Sequence, residues 1–430
     1  MQFLWLAFLV RPPGPRLLFL SWSTMSLHIL QFVPEVLPTF RADVSVLFGK
    51  YLPQHQVLCD VVGKASAEAH EQQGFRSVRR PDYHRSRARR ELAYFFLSMR
   101  TLLTARRGEC DAIQVRDMVP LGLLAMLIAR CKGIPFYYWV SYLMSEGRIE
   151  RAQDQLRRGA GLRSRLVLWK GQLEQALLYK VVLPRAQHVF VQSDAMLAVL
   201  QAKGIAAQNM TAVPMGVDMA LLGQSRPQPQ RPEGWETVPL IAYLGTLDKA
   251  RQLERVVDAL ALVRTISPSA CLLLIGNSPT PHDEILLLEY VRKAGLEEAV
   301  RITGWLPSAQ AWQLLVAADA AVSYVPRGAL YDVSSPTKLL EYLALGMPAV
   351  GNDIPDQAHV LQASGAGWLT ASEPAAMAQA LNDILADPVA ARQRAAAGPA
   401  YIEAHRSYRQ LGAMLACRYQ TLLPRAVQGR

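Results

Sequence analysis

Little in this sequence would staple it or hold a metal. The five cysteines (Cys59, Cys110, Cys131, Cys271 and Cys417) are odd in number, widely scattered, and form no C-x-x-C pair or His-Cys cluster. That argues against a disulfide framework and against a structural zinc site. His28, His55, His70, His84 and His188 show no ligand spacing, so no metal and no organic cofactor is expected. Charged residues make up only 19%, which excludes a chain-wide disordered polymer. No internal period marks a repeat array. A clean membrane span is also missing. MQFLWLAFLV is ten residues, too short to cross a bilayer, and Arg11-Pro12-Pro13-Gly14-Pro15-Arg16 breaks it. Positive charge follows that apolar run, the reverse of a secretory signal. The uncharged run Leu17–Val33 approaches the length of a marginal span, but Met25 opens a stretch that reads as a first strand, Leu27–Phe32. Met25 is therefore read as the natural start and residues 1–24 as a non-native upstream leader, with a membrane anchor as the competing reading.

What is present is a large apolar chain with unevenly placed charge. Its 430 residues, 51% of them hydrophobic, suffice for two or three domains with their own cores. The formal charge of +11 admits nucleic acid, an anionic membrane or a phosphorylated ligand as partner. Residues 1–230 carry 29 Lys+Arg against 16 Asp+Glu, whereas residues 231–430 carry 17 against 19. The excess belongs to the first half, concentrated in an arginine-rich stretch, 76–107, and in 148–185.

From Leu27 onward, apolar β-branched runs alternate with helical periodicity, the pattern of βαβ units around a parallel sheet. Strands are expected at 27–32, 56–62, 112–115, 135–140, 188–192 and 211–214, with helices at 41–52, 86–105, 119–132 and from Ser193. Residues 222–239, LGQSRPQPQRPEGWETVP, hold neither a ladder nor a helix and read as an interdomain linker. The alternation then restarts, with strands at 240–244, 270–275, 300–303, 320–325 and 348–350. Helices are expected near 251–265, 282–294, 308–317, 337–345 and 373–386, and a helical segment over 389–430. The fold class is α/β: two successive Rossmann-like domains, 25–221 and 240–388, with ligands at the carboxyl ends of the strands.

The chemistry-bearing signals lie in the second half. Strand 240–244 runs into Gly245-Thr246-Leu247-Asp248-Lys249-Ala250-Arg251. A glycine lets the backbone approach a ligand, a helix start favours an anion, and Lys249 or Arg251 neutralises a phosphate. Gly276-Asn277 and Gly304-Trp305-Leu306-Pro307 make two more strand-to-glycine turns at the same sheet edge. The fourth signal is Ser335-Pro336-Thr337-Lys338-Leu339-Leu340-Glu341. Ser335 reads as the helix cap with Pro336 in the first turn. Lys338 and Glu341, three apart, share one helix face, the lysine suited to a diphosphate and the carboxylate to vicinal ribose hydroxyls. A surface Lys–Glu pair on an amphipathic helix is the plainer reading of the same spacing.

Taken in order, YLGTLDKAR, LLLIGNS, VRITGWLP, ADAAVSY, SSPTKLLEYLALGMPAV and GAGWLT resemble the nucleotide-binding domain of GT-B-fold glycosyltransferases of family 4, the retaining glycosyl transferases group 1. Gln187–Ser193 and Val213–Asp218 resemble two further family segments, ADxVxxxS and VPNGVD. The resemblance covers about 400 residues from Met25. It implies a GT-B fold, a cleft holding a nucleotide-diphosphate sugar, and a C-terminal helix returning to the first domain. It also implies Glu341 on the ribose, Gly276 and Leu306 beside the base, and Arg251 as the phosphate-neutralising cation. Thr246 stands where the family has arginine and Val333 where it has a first glutamate, which an S-P-x-K-x-x-E version fits better. Val33-Pro34-Glu35-Val36-Leu37-Pro38 replaces the family's glycine-rich loop.

By that resemblance, catalysis rests on Arg251, Lys338 and the helix start. The donor is held by Gly245, Thr246, Lys249, Gly276, Asn277, Leu306, Ser335, Pro336, Thr337 and Glu341. Asp117 and Glu146, at cleft-facing strand ends, are acceptor-orienting candidates, with turn or capping use as the competing reading. Asp332 is a further candidate beside the donor sugar. The expected acceptor is a glycan or a lipid-linked sugar. Basic residues mixed with Trp169, Tyr179 and leucines over 163–183 suit an anionic membrane surface, or equally a solvated helix packed in the first domain. A cytoplasmic location at the inner face of a bacterial membrane is therefore expected. Nucleic acid is not expected as a partner, because no binding motif accompanies the charge. The competing function is a family-derived binding or scaffold protein, motivated by Thr246 and Val333.

Overall fold

The computed structural model describes residues 26–67, 74–159, 161–225 and 227–423; the leader, 1–24, lies outside them. Two parallel sheets organise the chain. The first has the order β3-β2-β1-β4-β5-β6-β7, from strands β1 Leu27–Leu37, β2 Val57–Ala65, β3 Ser77–Arg79, β4 Ala112–Arg116, β5 Phe136–Val140, β6 His188–Val191 and β7 Met210–Ala212. The second has the order β10-β9-β8-β11-β12-β13, from β8 Leu240–Leu244, β9 Cys271–Ile275, β10 Val300–Ile302, β11 Ala320–Ser323, β12 Ala349–Asn352 and β13 Trp368–Thr370. Strands such as β5, Phe-Tyr-Tyr-Trp-Val, are buried along their whole length, as both faces of a parallel sheet are covered by helices. These are the two Rossmann-like domains of the GT-B architecture.

The helices that matter below are α1 Arg87–Thr104, α2 Val119–Lys132, α3 Met144–Arg157, α4 Leu162–Leu177, α5 Ser308–Val316, α6 Thr337–Ala344, α7 Pro355–Ser364 and α8 Tyr408–Leu422. Among the described residues no helix is long and apolar enough to cross a membrane. The closing helix α8 packs on the first domain. Tyr408, Leu411, Leu415 and Tyr419 share a core with Ile29, Val57, Trp139 and Phe190, and Tyr419 Oη donates to Gln114 Oε1 at 2.6 Å.

Four details differ from the expectations. β1 runs five residues further, through Pro34, because its register with β2 shifts between Phe32 and Val36 and the missing proline donor falls in that break. β3 and β13, three residues each, are too short to stand out of the patterns around them. The terminal helical segment is three helices, interrupted near Gly398-Pro399 and at Ser407, whose hydroxyl caps α8. The crossing between domains comes earlier than the proline-rich stretch. It lies at Val213–Asp218, where Val217 bridges to Ser407 of the return crossing. A Cβ on Gly216 would stand 2.6 Å from Arg406 O, so the two crossings touch backbone to backbone. The expected linker is instead held on the second domain by buried Trp235 and by Arg231, which pairs with Asp319 at 2.9 Å.

Candidate active site

In each sheet the strand order reverses beside the domain's first strand, between β1 and β4 and between β8 and β11. Ligands bind in the crevice outside the carboxyl ends of strands at such points. The two crevices adjoin. Ser193, at the end of β6, donates to Val333 O at 2.6 Å, and Met215 N donates to Ser335 Oγ at 3.0 Å.

On the second-domain side the glycine turns stack. Gly245 has φ +148°, Gly276 has φ +138°, and a Cβ on Gly276 would fall 2.0 Å from Gly245 O. Gly276 also bridges to Gly304. Only glycine satisfies both the positive φ and that approach. Asn277 Oδ1 accepts from Ser278 N at 2.6 Å, fixing the turn. Leu306 packs on the second core, and Thr246 offers its carbonyl to Tyr243 Oη at 3.3 Å.

Lys338 lies across this floor. A Cβ on Gly245 would meet its Cδ at 3.1 Å, and its Nζ sits 5.0 Å over the Tyr243 ring. Burial, then the neighbouring Arg251, pushes the ammonium down to about 7, against the pull of Asp248 and Glu341. Arg251 ends the helical turn Lys249–Arg251; its Nε stands 3.5 Å from Asp248 Oδ2 and has no hydrogen-bond partner among the described residues. Two cations thus press on one spot. Lys249 is exposed, and its backbone amide donates to Asp283 at 3.1 Å.

The start of α6 corrects one assignment. Pro336, not Ser335, takes the cap position, with extended backbone and no side-chain hydrogen bond, and the helix begins at Thr337. Ser335 Oγ is drawn away because Asp356 of α7 accepts its proton at 2.7 Å while Met215 N donates to it. Asp356 in turn pairs with buried Arg406 at 2.6 Å. The first N–H groups of α6 are left for an anion. One turn on, Glu341 is raised by burial, opposed by Lys338 and by Trp312 Nε1 of α5, which donates to its Oε2 at 3.4 Å. Trp312 carries no local signature in the sequence. Asp332 is not free for a donor sugar, because Arg327 holds it at 2.8 Å.

On the first-domain side, Asp117 sits at the end of β4 with φ +53°. It accepts from Ser141 N at 2.8 Å, from the Ser141 hydroxyl, and from Tyr142 N at 3.4 Å. It therefore ties the β5 end to β4, the turn role that competed with an acceptor role. Glu146 is likewise occupied. It accepts from Tyr179 at 2.5 Å, Gln175 at 3.1 Å and Ser145 at 2.9 Å. Burial opposes its charge, but those bonds hold the carboxyl below its usual value. Beside Asp117 is a group the motifs did not single out. Glu35, Asp43 and Asp117 surround the fully buried Arg116 guanidinium, with Arg41 against Glu35 and Asp43. The available signal was positional: charged residues at the ends of two parallel strands that the βαβ pattern makes neighbours.

Comparison with known proteins gives this arrangement a family. The model described as "Glycosyl transferases group 1" matches residues 238–387, and that of the "Glycosyl transferase 4-like domain" matches 37–216. A Mycobacterium tuberculosis protein, "GDP-mannose-dependent alpha-(1-6)-phosphatidylinositol dimannoside mannosyltransferase", is 29% identical over 196 residues, 45% of this chain and 48% of the relative. The chain thus spans about half the length of the curated relatives it matches. Anabaena HepE in complex with UDP-glucose superposes with a TM-score of 0.65 at 15% identity, over 92% of this chain and 100% of that one. Sucrose-phosphate synthase of Thermosynechococcus elongatus does so with 0.66 at 16%, over 93% and 100%. At such identities the structures speak for the fold. With both halves matched in order, the chain belongs to the glycosyl transferases group 1 family, family 4 of the GT-B glycosyltransferases.

Proposed function

We propose that the protein is a retaining glycosyltransferase moving a sugar from a nucleotide-diphosphate donor to a glycan or lipid-linked acceptor, in cell-surface or exopolysaccharide synthesis. The observation that carries this reading is the convergence of Lys338, Arg251 and the uncapped start of α6 over the Gly245–Gly276 floor, one turn from Glu341. A diphosphate placed there meets two cations and free N–H groups, with Glu341 in reach of the ribose hydroxyls and the base along Gly276 to Leu306. As the anomeric C–O bond breaks, charge grows on the departing diphosphate, and fixed cations offset it most in that state. Attack from the face the diphosphate leaves then retains configuration. The relative's name, a phosphatidylinositol dimannoside mannosyltransferase, supports a lipid-linked acceptor, and HepE with UDP-glucose supports a nucleotide-sugar.

The test is a panel of UDP-, GDP- and ADP-sugars with a membrane lipid extract, products read by mass spectrometry and anomeric configuration by NMR. Glu341→Ala is expected to abolish transfer and weaken nucleotide binding in a folded protein. Unchanged activity in that variant sinks the site. Binding without turnover by the wild type would favour the scaffold reading.

The membrane part of the proposal rests on three adjacent helices. Leu162, Leu166, Trp169 and Leu173 are exposed along one stripe of α4, flanked by Arg163, Arg165 and Lys170. Leu92, Phe95, Phe96 and Leu103 do the same on α1, and Leu127 is exposed on α2, which packs between the two. Apolar stripes rimmed by arginine fit an anionic bilayer at the inner face of a bacterial membrane. Trp169→Ala with Leu166→Ala is expected to cut sedimentation with phosphatidylglycerol vesicles severalfold. Equal binding to phosphatidylcholine vesicles would refute the electrostatic part.

A further inference from the structure

We propose that the first domain holds the headgroup of an anionic phospholipid in a polar cavity beside the C-terminal end of α1, an inference that rests on the membrane reading above. The chemistry recognised is a phosphodiester monoanion carrying free hydroxyls, as in phosphatidylglycerol.

The cavity, about 350 Å³, is formed where α1 packs over β2 at the edge of the first sheet. Small-ligand sites measure about 300–1,000 Å³. Strand register builds the floor. Leu30, Asp60 and Ser77 are partners across β1, β2 and β3, and Val62 pairs with Arg79 two residues on. Side chains two apart on a strand share a face, so Asp60 and Arg79 lie on the α1 side, where Leu30 and Val62 share a core with Leu102. Leu30, Asp60, Thr101 and Cys110 are buried, whereas Arg79, Thr104, Arg106 and Glu109 are exposed at the mouth. Glu109 and Cys110 come just before β4, so the cavity lies toward the amino ends of the strands, away from the donor crevice.

The charges on the floor are committed and those at the mouth are not. Burial opposes the Asp60 charge, but bonds from Arg76 Nε at 2.9 Å and Ser77 Oγ at 2.6 Å hold its carboxyl below the usual value. Arg76 is occupied in turn: its Nη1 lies 2.8 Å from His28 Nδ1, and its Nη2 donates to Glu109 O at 3.1 Å. Arg79 acts on Asp60 only as a nearby charge. Arg106 is held through its backbone, its carbonyl accepting from Glu109 N at 3.1 Å and Cys110 N at 3.4 Å to close the turn after α1. Two guanidiniums thus face a ligand, with the Glu109 carboxylate as the opposing charge at the mouth. That balance suits a monoanionic phosphodiester, and Thr101, Thr104 and Glu109 suit its hydroxyls. The C-terminal end of a helix is negative and would repel the phosphate. Lys132 of α2 offsets this, its Nζ donating to Leu103 O at 2.5 Å and Ala105 O at 2.6 Å.

Position favours a lipid over a soluble phosphate ester. Leu92, Phe96 and Leu103 are exposed on α1, and Thr104 lies about 100° around the helix from Leu103. Where the apolar side of an interfacial helix meets acyl chains, its flanks lie level with the headgroups. The cavity mouth is on that flank, and exposed Arg100 is one turn before Thr104 on the same helix.

The experiment titrates dihexanoyl phosphatidylglycerol, below its micelle concentration, into the full chain by calorimetry. Salt is about 0.15 M, where distant charges are screened. Saturable binding of one lipid per chain is expected. Arg79→Gln with Arg106→Gln should weaken it about 10-fold or more. Thr104→Gln, which crowds the mouth at unchanged charge, should weaken it as well. Arg87→Gln with Arg89→Gln removes the same charge from exposed positions outside the cavity and should stay within about 3-fold of wild type. Equal losses in the two arginine pairs overturn the proposal, as does the absence of saturable binding. Sodium phosphate or glycerophosphoglycerol binding as tightly as the lipid overturns the lipid assignment. Sedimentation with phosphatidylglycerol vesicles separates the two readings. A wild type that stays in the supernatant overturns the membrane reading and this proposal with it. A wild type that sediments but takes up no short-chain lipid overturns this proposal alone.

Discussion

Replacing Lys338 by methionine and counting protons on donor binding probes the site at its most perturbed group. In the free protein the Lys338 ammonium is pushed down to about 7, first by burial and then by Arg251. At pH 7.5 roughly a quarter of the molecules then carry the charge. A diphosphate over Gly245 supplies the missing counter-charge and returns the amine toward its ordinary range. Binding should therefore take up about 0.75 proton per donor at pH 7.5, about 0.1 at pH 6 and nearly one at pH 8.5. Affinity should fall as pH rises above about 7, since the free protein must first be protonated. Calorimetry in buffers of different ionisation enthalpy reads the uptake directly. A nucleotide-sugar is the better probe, because its diphosphate has no terminal group titrating near neutrality. Lys338→Met should abolish the uptake and lose about 1.5–3 kcal/mol of affinity, the size of a charged hydrogen bond. Binding to the wild type with no proton uptake from pH 6.5 to 8.5 would refute the reasoning. Uptake persisting in Lys338→Met would do the same.

Two further expectations concern the frame. Gly276→Ala places a Cβ 2.0 Å from Gly245 O at φ +138°, so it should cost about 2–4 kcal/mol in urea unfolding and remove nucleotide binding. Asp356→Ala strands the buried Arg406; a loss of about 3–5 kcal/mol is expected in denaturant titration, and Asp356→Asn should recover part of it. A change below about 1 kcal/mol in Asp356→Ala would show that the pair contributes little beside the domain crossing.

The second domain was the more legible half because its motifs are local. Gly245, Gly276 and Lys338 each sit at a strand end or helix start, where a few neighbouring residues decide the geometry, and the fold brings them side by side. The cap at Ser335 was misread because its competitor, Asp356, is 21 residues away and Met215 lies 120 residues away in the crossing between domains. Glu146 looked free at a strand end, but its partners Gln175 and Tyr179 come from a helix that packs back on it. Glu35 was seen only as an occupant of a missing glycine loop. Its neighbours Arg41, Arg116 and Asp117 come together through strand order, which spacing alone does not give. The proline-rich stretch was called a linker for its composition, and its anchor residues Trp235 and Arg231 are two side chains among many polar ones.

The return of α8 to the first domain bears on the order of synthesis. Tyr408, Leu411, Leu415 and Tyr419 cover Ile29, Trp139 and Phe190, so the domain translated first is the one finished last. Roughly 200 residues separate its last strand from its covering helix, on the order of 10–40 s of translation. Through that interval the first sheet's side is covered only in part, by Val44, Leu47, Phe48 and Leu52, while the second domain folds. Neither half of the chain, expressed alone, specifies a complete first domain.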